Sequence, residues 1–189
     1  MTIARWLFAS LCVVACSKTA APPIAMKDGD AGLRELFVQA RTACDAKDTV
    51  KGRAIVESLI PAAEPLRRAL VDNAPMDFVE QVVSQMKEIP ADDTKAACLL
   101  SPAGRTEILV HAATTEEIAA RGTPIVTSEF PRGAQKLAPL LRPGVTFYEV
   151  ETVEPGADRG TKFHMFYWDG ERWRMLGPAW RYLAGTEQE

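Results

Sequence analysis

The chain has 189 residues, 47% of them hydrophobic and 25% charged, with 22 Lys and Arg against 25 Asp and Glu for a net charge of −3. That composition is globular rather than disordered, and a mildly acidic chain has no global electrostatic case for binding nucleic acid. Without its first 30 residues the chain keeps roughly 160, the size of one ordinary domain.

The first element is Trp6 to Ala15, an apolar run behind the lone basic residue Arg5 and in front of small residues around Ala15 and Cys16. At a 1.5 Å rise such a run covers about half of a ~30 Å hydrocarbon core, so it reads as an export signal, not a spanning helix. Val13-Val14-Ala15-Cys16 resembles the lipobox of bacterial lipoproteins. The resemblance implies diacylglyceryl transfer to the Cys16 thiol, cleavage before it, and acylation of the new N-terminus. Each buried acyl methylene contributes about 0.8 kcal/mol, so several chains would anchor the protein stably. In that class Ser17, rather than Asp, favours the outer membrane. These expectations place the protein in the cell envelope, lipid-anchored and facing the periplasm. Residues 16–30, with Pro22-Pro23 and no apolar periodicity, read as a tether between lipid and domain.

Four cysteines are present. Cys12 leaves with the signal and Cys16 is the lipidation candidate. Cys44 and Cys98 remain, an even number suited to a disulfide in an oxidising compartment, or else two buried thiols that never meet.

A single α+β domain is expected over residues 31–184, with 185–189 a disordered tail. Its first half is helical. Leu33, Leu36, Phe37, Ala40, Ala43 and Cys44 recur at helical spacing behind Asp30, a candidate N-cap. Ala54, Ile55, Val56 and Leu59 continue the pattern up to Pro61, and Leu66, Ala69 and Leu70 mark a short third helix. Asn73 is the expected cap of a fourth helix that presents Phe78, Val79, Val82, Val83, Met86 and Ile89 on one face. Residues 90–98 read as a loop in which Asp92 and Asp93 face solvent.

The second half is mixed. Residues 106–112 have a strand's composition. Thr114 and Glu117 form a capping box for a helix of about two turns ending at Gly122. Residues 123–130 read as a strand or an extended loop, and 131–141 as a short helix weakened by Pro139. Three meander strands follow, with Asp169-Gly170 as the hairpin signal. Two registers are open there: Phe166 opposite Trp173, or Met165 opposite Trp173. The second is favoured because it gathers Phe163, Met165, Trp173 and Met175 on one face. Helices first and antiparallel strands after predict a sheet with one face covered by helices. The closing FYWDGERWRMLGPAWRYL resembles the last strands of small periplasmic domains with the nuclear transport factor 2-like (NTF2-like, SnoaL-like) cone. That likeness implies a curved sheet around a pocket.

No catalytic set is evident: there is no G-x-S-x-G, no glycine-rich phosphate loop, and no metal-ligand spacing around His111 and His164, so neither cofactor nor metal is expected. Glu149 and Glu151, two apart on one strand, share a face suited either to acid–base work or simply to solvation. Trp168, Arg172, Arg174 and Arg181 lie in an aromatic and basic cluster that reads as a candidate binding face for a protein or glycan, or as a core with Arg lids. A tethered binding or structural module is the leading expectation. A small hydrolase or isomerase, with a histidine meeting a carboxylate in a cone-like pocket, and an accessory subunit of an envelope complex are the alternatives.

Overall fold

In the computed structural model, which describes residues 27–183, Asp28 rather than Asp30 begins the fold. Its carboxylate accepts the Gly29 N–H at 2.6 Å and opens α1, Gly29–Asp45. Lys27 to Asp30, expected within the tether, therefore belong to the domain, and the Lys27 carbonyl accepts the indole N–H of Trp173 at 2.9 Å. The signal segment, Cys16 and the tail at 185–189 lie outside the described residues.

Next come α2 (Thr49–Ser58), α3 (Ala63–Leu66) and α4 (Met76–Met86). Pro75, not Asn73, stands at the start of α4, which has no side-chain cap hydrogen bond. The expected loop before Cys98 contains α5, Asp93–Ala97, because Asp92 accepts the Lys95 N–H at 2.8 Å as an N-cap. Asp93 is held by Arg53 at 2.9 Å. Cys44 and Cys98 form a disulfide with Cα atoms 5.0 Å apart. Beside it α2 lies so close to α5 that a Cβ at Gly52 would stand 2.6 Å from that of Ala97.

Strand β1 (Glu107–Thr114) leads directly into α6 (Thr115–Ala120) through the anticipated Thr114–Glu117 capping box. Arg121, with φ of 48°, takes the left-handed position foreseen for Gly122. Residues Pro124–Glu129 are a helix, α7, not a strand. Thr123 accepts the Val126 N–H and Pro124 fills the first helical position, which outweighs the β-branched Ile125-Val126-Thr127. Helix α8 (Arg132–Leu137) and a 3₁₀ turn at Ala138–Leu140 follow, then β2 (Thr146–Val153), β3 (Thr161–Trp168), β4 (Trp173–Met175) and a 3₁₀ turn at Ala179–Tyr182.

The fold is α+β, with the four strands in one open antiparallel sheet in the order β1-β2-β3-β4. Both of its faces are covered, not one. Ile108, Tyr148, Val150, Phe166 and Trp173 pack against Leu33, Leu36 and Phe37 of α1 and Ile55 of α2. Ala113, Phe147, Met165, Tyr167 and Leu176 pack on the other side against α3, α4 and α6 to α8. The sequence hid the second layer because its helices are short and carry few large apolar residues.

A bulge in β3 sets the register. Val150 faces Phe163, but Tyr148 faces Phe166, so His164 and Met165 together oppose Glu149. Trp168 then pairs with Trp173 and Phe166 with Met175, which replaces both expected registers with a four-residue connection at 169–172. Asp169 closes it by accepting the N–H groups of Glu171 and Arg172, each at 2.9 Å.

Trp173 is fully buried beside Trp168 and Tyr148, and it meets α1 as expected; α4 belongs to the opposite core. Truncating it to alanine should lower unfolding stability by about 3–5 kcal/mol in a urea titration, against less than about 0.5 kcal/mol for the exposed Arg172→Ala. Reduction of Cys44–Cys98, which closes a separation of 54 residues, should cost about 4 kcal/mol in the same assay.

Candidate functional site

Strand alternation puts a mostly polar set of residues in two rows across one sheet face. Register aligns His111 of β1 with Glu149 of β2, and the bulge of β3 brings His164 to the other side of Glu149. One step along, Leu109, Glu151 and Lys162 form a second row. The chain's two histidines, 53 positions apart in sequence, thus flank one carboxylate.

Glu149 is the centre. It is 1% exposed, and each of its oxygens has a partner. Oε2 lies 2.6 Å from His164 Nδ1, and Oε1 accepts the Met165 N–H at 3.1 Å. Burial pushes its carboxyl above the ordinary range, with the hydrogen bond and charge of His164, the Met165 N–H and the Lys162 charge pulling partly back. Met165 holds φ of 58°, a left-handed conformation that costs a non-glycine residue about 1–2 kcal/mol. The bulge is therefore retained against local preference.

His164 is half-buried, and on its other side the edge of its ring meets Trp180, with centroids 5.4 Å apart. Trp180 is itself seated on Gly133 of α8, where a Cβ would stand 2.2 Å from the indole. Among the described residues none hydrogen-bonds His164 Nε2.

Glu129, at the end of α7, ties the rows together. Its Oε2 accepts from Lys162 Nζ at 2.8 Å and lies 3.7 Å from His111 Nε2. Burial acts to raise the Glu129 carboxyl, but hydrogen bonds from Lys162 and Ser128 and the charges of Lys162 and His111 outweigh it, leaving it below the ordinary range. Glu151 accepts the Gly160 N–H at 2.5 Å and faces Lys162 at 3.7 Å. Among the described residues no three His, Cys, Asp or Glu side chains are placed to hold a metal ion.

Glu149 and Glu151 are thus buried and paired, not a solvated face, because helices cover that side. His164 shares its side with Met165 instead of opposing it, because the bulge suspends the alternation. Glu129 and Lys162 were missed. The Thr123-Pro124 helix start was the signal for Glu129, and the two-residue spacing from His164 was the signal for Lys162.

The expected binding face does not assemble. Trp168 pairs with Trp173 toward α1, whereas Arg174 pairs with Tyr167 on the other side. Arg174 is committed to structure: Nε donates to Asp169 at 2.7 Å, and NH1 donates to the carbonyls of Ser58 and Ile60 at 3.0 and 2.9 Å. Arg172 and Arg181 are exposed on the connection and on the last 3₁₀ turn. A shallow depression of about 470 Å³ beside Arg174 is lined by Glu64, Arg68, Asp169 and Glu171, and an apolar one of about 340 Å³ lies on α4. Neither borders Glu149 or His164.

No protein-family model, curated protein or solved structure matches this chain. The functional reading rests on these residues themselves.

Glu149 also gives a pH signature. A raised folded pKa means that the folded state holds this proton more tightly than the unfolded chain does. Its contribution to stability is therefore full below the unfolded value, near 4.3, and is lost as pH rises through the folded value. The stability of the wild type minus that of Glu149→Gln, from urea titrations across that range, should fall as pH rises.

Proposed function

We propose that this chain is an envelope lipoprotein, held to a membrane through acylated Cys16, whose domain acts as a binding module and presents the polar strip around Glu149 as its working face. The observation that carries the reading is the Cys44–Cys98 disulfide. Such pairs persist in oxidising compartments and are rare in the cytosol, so the cross-link agrees with the address read from the lipobox. Of the cysteines left after signal removal, two are consumed in the domain, and Cys16 stands apart for modification.

The strip suits recognition because its half-buried histidines and lysine surround polar groups already fixed by packing. Its ligand or partner would meet imidazole nitrogens, with the exposed Leu109 beside them. The outer membrane, facing the periplasm, is the address we assign on the strength of Ser17.

Mass spectrometry of the native protein should find an acylated N-terminal peptide beginning at Cys16, in the membrane fraction. Cys16→Ala should accumulate as uncleaved precursor or leave that fraction. An unmodified Cys16 on an intact signal segment would refute the proposal.

A further inference from the structure

We propose that the strip is also an acid–base catalytic site for hydrolysis of uncharged esters, in which His164 Nε2 is the general base and Glu149 is the residue that positions it. The inference stands independently of the lipid anchor.

Its first support is orientation. The 2.6 Å contact with Glu149 fixes the ring through Nδ1, and at pH values where Glu149 is ionised and the ring neutral, Nδ1 is the nitrogen that carries the hydrogen. That tautomer leaves the Nε2 lone pair as the acceptor. The Met165 N–H holds the second Glu149 oxygen, so the carboxylate cannot turn away, and Trp180 confines the ring from its other side. A general base needs this combination: a fixed ring, a chosen tautomer, and a nitrogen left available to water.

The second support is what surrounds the base. Among the described residues no serine, threonine or cysteine hydrogen-bonds His164, so water is the nucleophile. Lys162, two residues earlier on the same face, is ion-paired with Glu129 and Glu151, and its charge is felt at Glu149. The carboxylates of Glu129, Glu149 and Glu151 outnumber that one ammonium, which disfavours phosphate or carboxylate substrates and leaves uncharged esters as the class.

The step balances. His164 Nε2 takes a proton from water as the water oxygen bonds to the ester carbonyl carbon. The tetrahedral oxyanion then collapses with cleavage of the carbon–oxygen bond to the alcohol. The imidazolium returns its proton to the departing alkoxide. The products are acid and alcohol, and the histidine is regenerated.

The test uses the purified full-length protein in detergent with 4-nitrophenyl acetate, against N-acetylhistidine at equal concentration. The protein should exceed that reference by about a hundredfold, the scale of positioned acid–base catalysis, and His164→Asn should fall to it. Glu149→Gln should lower kcat with little change in KM and displace the pH profile, which a merely structural residue would not do. Arg172→Ala should leave the rate unchanged. A wild-type rate equal to N-acetylhistidine, or a folded His164→Asn that keeps full activity, would overturn the proposal. If His164→Asn loses its near-ultraviolet circular dichroism, the wild-type rate in D2O decides: slowing supports proton transfer by the base, and no slowing refutes it.

Discussion

The fold turns on the bulge at His164 and Met165. Two successive residues of β3 face one residue of β2, so the strand's alternation is displaced by one position partway along. Phe163 and Phe166, three apart, would otherwise point to opposite faces; here both reach the Phe37 ring of α1, at 5.4 and 5.6 Å. Met165 and Tyr167 enter the other core. Everything after the bulge inherits the shifted register, including Trp173, whose burial against α1 depends on it. Glu149 sustains the arrangement, because its carboxylate receives the N–H that the bulge leaves without a ladder partner.

Polar contacts hold the first layer of helices to this sheet and join parts of the second layer to one another. Arg34 and Arg41 of α1 donate to the carbonyls of Ile108 and Thr106, occupying acceptors along the free edge of β1. At the opposite edge Arg174 of β4 bonds the carbonyls of Ser58 and Ile60, satisfying the C-terminal end of α2, whose last acceptors have no partner inside the helix. On the second layer Arg142 donates to the Arg67 carbonyl and to Asp72, and Thr115 donates to the Arg142 carbonyl. Guanidinium groups repeatedly meet backbone acceptors at element ends, so much of the basic charge serves architecture rather than ligand.

That use of charge explains what was and was not legible in the sequence. Helical spacing located α1, α2 and α4, the capping box located α6, and the cysteine count located the disulfide, since each of these signals is local or arithmetic. The register of β3 and β4 was not legible. Bulges are set by long-range packing and by a buried carboxylate, and Met165 in a left-handed conformation leaves no mark in composition. The candidate site failed for the same reason in both directions. Arg174 looked like surface charge until Ser58 and Ile60 were placed beside it. Glu149 and Glu151 looked like a solvated face until α7, read as extended, proved to be a helix that carries Glu129 across them.

The remaining question is why a buried strand keeps a carboxylate at its centre. An acceptor for the Met165 N–H is all the bulge requires, and a neutral amide such as glutamine supplies one without the desolvation that burial imposes on a charge. Position 149 instead holds an acid whose second oxygen is spent on an imidazole half open to water. A buried ionisable pair is often no more stable than an apolar pair of the same volume, so the pair adds cost without being needed for the bulge. Its distinctive product is an imidazole held in one orientation, beside a second histidine and a lysine. The bulge needs only an acceptor for the Met165 N–H, so the imidazole contact is a second constraint that the acid at position 149 adds, fixing the ring through Nδ1 while its far edge rests on Trp180.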